Sequence, residues 1–417
     1  MAKFVIEGGR KLAGRIAVAG DKNSILPILA AAVLTKGEII LENVPRIADV
    51  ETMLSILAAL GAEHDWVGEH SLRLDTRQLS YADLLLEETR KLRGSILFLG
   101  SMLGRFGKVK TYHPGGDIIG ARPIETHLKG LATLGVRLHG DGHLSGVVGA
   151  GGARVAVLPE ASVTGTETLM LFCARRPGVT QLKLTATEPS VQALGRFLQQ
   201  LGVKIEGLGT PFMTIRGTKQ FVRRVRFTLP PDSIETATFV AVAGATRGNI
   251  TITGITPTSL DALFLVMDEM GFNYKVKRNT IAIKPSRLRG VKIQTGLYPK
   301  FMSDMQPPFG VLATQARGVT FVHDWLYENR FGYLRELTAM GANVEIPDPH
   351  RALIIGPTPL TGTEVRSLDI RAGMALIIAG LVAKGTTIIH GAENIERGYE
   401  RVAERLQALG ARVRWEE

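Results

Sequence analysis

Residues 54–61 read LSILAALG, with Leu57 and Leu60 on one helical face and Gly61 placed where a helix stops in a left-handed turn. The same ending recurs at Leu134-Gly135, Leu201-Gly202, Met270-Gly271, Met340-Gly341 and Leu409-Gly410, at intervals of 67 to 74 residues. In each copy the residue four before the glycine is also apolar (Leu131, Leu198, Met267, Leu337, Leu406). A second series, Gly37, Gly107, Gly178, Gly248, Gly318 and Gly385, marks an earlier helix end in each copy. Strand-like stretches rich in β-branched residues follow it, such as EIILENV at 38–44, NITITGI at 249–255 and TTIIHGA at 386–392. Chance recurrence of Leu-Gly at helix ends would not keep two series in phase over six copies. Each repeat reads strand, helix, glycine, strand, helix, glycine, strand, about twice the size of a solenoid unit. The fold class is α/β, and six repeats suit two pseudo-symmetric domains of three, with ligands expected in the cleft between them.

The rest of the composition narrows the function. The 417 residues are 45% hydrophobic, 6% aromatic and 21% charged, which excludes disordered and collagenous classes. Cys173 is the single cysteine, so no internal disulfide forms and a reducing, cytoplasmic setting is expected. The N-terminus MAKFVIEGGR carries no apolar leader, and the longest apolar runs, 25–34 and 374–383, are too short to span a membrane. The formal charge of +11 predicts anionic partners, either nucleic acid or phosphorylated small molecules. The cations are spread along the chain and aromatics are sparse, so no local nucleic-acid footprint stands out.

Phosphate-loop, nucleophile-elbow, zinc-protease and paired-CxxC signatures are absent, so no metal and no cofactor are expected. The glycine-rich run at 149–154 leads into a strand where a dinucleotide fingerprint needs a helix, and reads as a connecting loop. What remains are polar residues interrupting apolar repeats. Asp21-Lys22-Asn23-Ser24 stands between a strand and an apolar helix, as an N-cap or an anion contact. Residues 113–123, HPGGDIIGARP, form a long glycine-rich loop with one acid and one guanidinium, either a plain turn or a lid over a phosphorylated substrate. Asp304, Arg330, Asp369, Arg371 and Arg397 follow in later repeats. Singly each reads as a surface ion pair. Together, Lys22, Arg93, Arg122, Arg330, Arg371 and Arg397 recur near the starts of helices at similar repeat phases, which points to one anion-binding site.

Six motifs carry a resemblance: GDKNSILP at 20–27, HPGGDIIGARP at 113–123, SVTGTE at 162–167, FMSDMQ at 301–306, YENRF at 327–331 and ERGYER at 396–401. They occur in order from end to end and strongly resemble the UDP-N-acetylglucosamine 1-carboxyvinyltransferase family of enolpyruvyl transferases. The resemblance implies two inside-out α/β barrel-like domains, residues 22–230 with the mobile catalytic loop, and 1–21 joined with 231–417. It implies transfer of the enolpyruvyl group of phosphoenolpyruvate to the 3′-hydroxyl of UDP-N-acetylglucosamine, opening peptidoglycan synthesis.

By the same resemblance Asp117 is the acid above the vinyl carbon and Asp304 the carboxylate that activates the sugar hydroxyl, with little part in folding. Lys22, Arg122 and Arg397 are implied on the donor phosphate, Arg330 and Arg371 on its carboxylate, and Asn23 beside them. Asn23, Arg93, Arg122, Pro123, Ile124, Glu125, Thr126, Ser162, Val163, Asp304 and Leu326 match the family's UDP-sugar contacts.

The chain departs from the family's commoner pattern at several positions. The loop acid is usually Cys, and Asp117 in its place implies resistance to fosfomycin, which alkylates that thiolate. Ile124-Glu125-Thr126 replaces Val-Asp-Leu, Glu160 stands where some members have Lys, and Ser190 where Glu is common. These changes lie on the nucleotide side. Two other readings stay open: a 3-phosphoshikimate 1-carboxyvinyltransferase, whose serine-rich signature is missing because Asn23 follows Lys22, and a basic non-catalytic repeat protein that binds nucleic acid.

Overall fold

The computed structural model describes residues 2–117, 119–140 and 142–417. Two compact units, each with its own hydrophobic core, make up the chain. One comprises Met1–Ala19, Asp117–Arg122 and Pro231–Glu417, the other Gly20–Gly116 and Pro123–Pro230.

Each unit is built on three helices that are apolar on every side, as a helix must be when protein surrounds it. Ile370–Val382, IRAGMALIIAGLV, buries every residue but its last. Ser233–Ala245 and Gln306–Gln315 accompany it, and Lys22–Ala32, Leu97–Phe106 and Val163–Arg175 play the same part in the second unit. The helices that end in the Leu-Gly or Met-Gly pairs are amphipathic instead. Pro189–Gln200 buries Val191, Leu194, Phe197 and Leu198 and turns Arg196, Gln199 and Gln200 to solvent.

Around these helices stand separate sheets, three per unit among the described residues, which do not close into one barrel. All share one order. In the fifth repeat Lys292–Gln294 runs parallel to Gly318–His323, with Gln306–Gln315 as the connecting helix. Antiparallel partners Arg351–Gly356 and Asn343–Asp348 complete the sheet. A hairpin therefore follows the second glycine, where the sequence predicts a single strand. Its two-residue link, Pro349-His350, is too short to interrupt the apolar pattern. In the sixth repeat the N-terminal Lys3–Glu7 supplies the hairpin's second strand, between Arg412–Glu416 and Thr386–His390. In the second repeat the leading strand shrinks to a bridge between Leu84 and Thr111, leaving three strands.

Two strands are exchanged. Ala13–Ala17 leads into Lys22–Ala32 but pairs with Asn249–Thr253, while Arg224–Thr228 leads into Ser233–Ala245 but pairs with Glu38–Glu42. Those exchanges account for the two glycines that break the predicted pattern. Gly61, Gly135, Gly202, Gly271, Gly341 and Gly410 all have positive φ, as do Gly107, Gly178, Gly318 and Gly385. Gly37 and Gly248 do not. They are required by space, because a Cβ would lie 2.0 Å from the carbonyl oxygen of Arg223 and 2.7 Å from that of Leu12, where the exchanged strands enter.

Gly100 sets the closest approach between interior helices: its Cβ would fall 2.1 Å from the Thr168 carbonyl oxygen. Gly100→Ala is expected to force Leu97–Phe106 and Val163–Arg175 apart and to cost about 1–3 kcal/mol in a urea titration. An unchanged midpoint would contradict this packing.

Candidate active site

In the first unit the N-terminal ends of the interior helices gather the charged residues. Asp369 caps Ile370–Val382, its carboxylate accepting from the backbone N–H of Arg371 (2.8 Å) and Ala372 (3.0 Å). Asp232 caps Ser233–Ala245 in the same way, through Ile234 and Glu235. Both caps are buried, and burial pushes both carboxyls above the ordinary aspartate range, against the pull of Arg330 on Asp369 and of Arg371 on Asp232. Asp369 is therefore not the surface ion-pair residue that it suggests when read singly.

Asp304 lies in the turn before Gln306–Gln315 and is held by two buried arginines. Arg330 Nη2 donates to one carboxylate oxygen, and Arg371 Nε lies 3.3 Å from the other. The side chains of Arg330 and Arg371 are 1% and 4% exposed, whereas that of Asp304 is 30% exposed. The arginines are thus fixed by burial, and the carboxylate between them remains reachable. Arg371 also lies over the Tyr399 ring and hydrogen-bonds to it, and among the described residues its buried Nη1 meets no acceptor. Burial opposes its charge, but Tyr399, Asp304 and Asp232 outweigh that and hold the guanidinium protonated.

The loop residues of this unit meet the same cluster. Arg397 Nη1 is 2.6 Å from Asp117 Oδ1, Arg122 Nη1 is 3.5 Å from the Asp117 carbonyl, and Asp117 and Asp369 repel each other. The Ala121 N–H donates to Glu328 and the Asn329 N–H to the Ile119 carbonyl, which ties the loop to the 327–331 motif. Leu326 is on that segment, its N–H directed at Asp324 (3.2 Å). Asp117, Arg122, Asp304, Arg330, Arg371 and Arg397 therefore form one cluster.

The second unit holds the remaining predicted residues. Lys22 opens Lys22–Ala32 behind the Asp21 cap, so the capping reading is right for Asp21. The Lys22 ammonium is buried against Asp49, at 2.8 Å. Asn23 follows, its N–H on the Asp21 carboxylate. Arg93 begins the turn before Leu97–Phe106 and donates to the Pro123 carbonyl (3.1 Å). Ile124 and the exposed Glu125 open Glu125–Thr133. Thr126 donates to Glu160 (3.1 Å), and Ser162 caps the helix that begins at Val163.

Sequence reasoning missed Asp49, Tyr399 and Glu167. Asp49 had a signal, an acid at the second position of the helix Ala48–Ala59 followed at once by the apolar Val50. Glu167 is buried inside Val163–Arg175, and burial raises its carboxyl well above the usual range. Ser190 donates to it (3.3 Å), so at the position where the commoner sequence has a second acid this chain has a hydroxyl partner.

His127 gives this unit an acid-sensitive point. Burial first, then the nearby Arg93, lowers its imidazole to about 4, against about 6.5 in an unfolded chain. Between those values the unfolded chain binds the extra proton. Stability is therefore full above about pH 6.5 and falls as the pH drops toward 4, by at most about 1.4 kcal/mol per pH unit. His127→Gln keeps a partner for Thr164 and should flatten that slope in urea titrations run at about pH 7 and about pH 5. An unchanged slope would assign the acid sensitivity elsewhere.

Buried guanidinium groups beside reachable carboxylates, at the ends of apolar helices, are the features of a protein that binds a compact polyanion and moves protons next to it. The comparisons agree. A family model described as EPSP synthase (3-phosphoshikimate 1-carboxyvinyltransferase) matches residues 6–406. The UDP-N-acetylglucosamine 1-carboxyvinyltransferase of Bradyrhizobium diazoefficiens is 37% identical, over 99% of this chain and 97% of that protein. Its counterpart from Coprothermobacter proteolyticus is 40% identical, over 99% and 97%. The enolpyruvyl transferase NikO from Streptomyces tendae has the same fold, with a TM-score of 0.90 at 26% identity over 100% of this chain and 99% of that one. The chain belongs to the enolpyruvyl transferase family. No helix among the described residues is long and apolar enough to cross a membrane.

Proposed function

We propose that this enzyme transfers the enolpyruvyl group of phosphoenolpyruvate to the 3′-hydroxyl of UDP-N-acetylglucosamine and releases phosphate, in the cytoplasm, as the first committed step of peptidoglycan synthesis. The observation that carries the reading is the cluster of two carboxylates, Asp117 and Asp304, with Arg330, Arg371 and Arg397. The donor bears a phosphate and a carboxylate, and guanidinium groups match both bidentately. Arg397, Arg122 and Lys22 take the phosphate; Arg330 and Arg371 take the carboxylate. Asp117 delivers a proton to the vinyl carbon, C3, leaving C2 electrophilic. Asp304 removes the proton from the attacking hydroxyl, and the tetrahedral product collapses with loss of phosphate and a methyl proton. Asn23, Arg93, Arg122, Pro123, Ile124, Glu125, Thr126, Ser162, Val163 and Leu326 contact the UDP-sugar. The stretch 22–230 supplies the catalytic loop, although Asp117–Arg122 itself belongs to the unit of Pro231–Glu417.

The description of the matching family model favours a second reading, with shikimate 3-phosphate as acceptor. Phosphate release from phosphoenolpyruvate, measured with each acceptor and with none, separates them. Release with UDP-N-acetylglucosamine alone is the expected outcome. Release with shikimate 3-phosphate would transfer the assignment to the sister enzyme, and release with neither would remove it.

A further inference from the structure

We propose that Asp117 and Asp304 occupy, in the donor-free protein, the anion positions of the donor itself, and that the donor binds by displacing both, with uptake of one proton onto Asp117. The inference rests on the reading of the donor site above and adds how that site is kept ready.

Arg330 and Arg371 are buried and cannot turn to water, and a buried charge without a counterion costs several kcal/mol. Some anion must always stand between them. Asp304 fills that place now, through Arg330 Nη2 and Arg371 Nε. It is the exposed member of the trio, so it is the group that can leave. The buried Nη1 of Arg371, which meets no acceptor among the described residues, offers a further donor that Asp304 does not use. A carboxylate ligand would satisfy it and would return Asp304 as a base no longer neutralised by two guanidinium groups.

The same exchange applies to Asp117. Its carboxylate is 2.6 Å from Arg397, and both side chains are partly exposed, at 16% and 22%. The charged groups facing it include Arg397, Arg122 at its carbonyl, and Asp369. Those facing Asp304 include Arg330, Arg371 and the buried Tyr327. Once a phosphate dianion takes Arg397, Asp117 stands beside that dianion and Asp369 without its own counterion. Like charges at that range favour the neutral carboxyl. Solvent supplies the proton, which forms the Asp117 O–H bond. In turnover that bond breaks as the proton passes to C3 of the donor and the vinyl π pair forms the new C–H bond. The charge the acid needs to lose is thus removed by the substrate it will protonate.

The test uses the whole protein with saturating UDP-N-acetylglucosamine and phospholactate, the saturated donor analogue, which keeps both anionic groups but has no vinyl carbon to protonate. Calorimetric titrations at about pH 8, in buffers of different ionisation enthalpy, count the protons exchanged. Uptake approaching one proton per site is expected for the wild type. It should vanish in Asp117→Asn and persist in Asp304→Asn. Binding without uptake, uptake unchanged in Asp117→Asn, or no analogue binding by a protein that turns over phosphoenolpyruvate would overturn the exchange. Absence of turnover with phosphoenolpyruvate would instead remove the underlying functional reading.

Discussion

Asp117→Asn is expected to lower turnover by about 10²–10⁴-fold, the usual worth of a positioned proton donor, while the protein stays folded. An amide has no acidic proton for the vinyl carbon. Asp117 lies on the loop as a partly exposed pair with Arg397, so its removal disturbs little packing. Asp117→Cys should retain activity, because a thiol can donate the same proton. It should also become subject to time-dependent inactivation by fosfomycin, since a thiolate opens the epoxide far faster than a carboxylate does. Steady-state kinetics with and without preincubation check both substitutions. Covalent inactivation of the wild type, or normal turnover by the asparagine variant, would exclude Asp117 as the acid.

Asp304→Asn should produce a loss of the same order, about 10²–10⁴-fold in kcat, by removing the group proposed as base for the acceptor hydroxyl. The structure adds a consequence that the sequence reading did not contain. Asp304 was expected to matter little for folding, yet it is the counterion of two buried arginines. The variant should therefore lose stability as well, by about 1.5–3 kcal/mol for a hydrogen bond to a charged group. Adding the donor should restore part of it, because the donor carboxylate takes the vacated place. Near-normal kcat would point to Asp369 or Asp232, although both are committed to capping helices.

The repeat was legible because its punctuation is chemical. A left-handed helix end tolerates few residues besides glycine, so Gly61 and its five counterparts register in the sequence whatever surrounds them. Interior helices were legible from the apolar runs 25–34 and 374–383. The strand exchange was not, since Ala13–Ala17 carries no mark of the distant Asn249–Thr253 with which it pairs. At the candidate site, motif and repeat phase identified Arg330, Arg371 and Asp304, but not that the three bind one another. That depends on burial, which a single charged residue between apolar neighbours does not reveal. Asp49 and Glu167 were overlooked for the same reason. Each is an acid in a helix, Asp49 with the exposed Glu51 two residues on, and only its surroundings distinguish it from a solvated one.

The chain is expected to join an enolpyruvyl group to the 3′-oxygen of UDP-N-acetylglucosamine. Mass spectrometry and proton NMR of the purified product, formed from phosphoenolpyruvate and UDP-N-acetylglucosamine, test it directly. A single enol ether at the 3′-oxygen of the sugar, formed in equal amount with phosphate, is the expected product. Unmodified UDP-N-acetylglucosamine, or an enolpyruvyl group on any other atom, would contradict it.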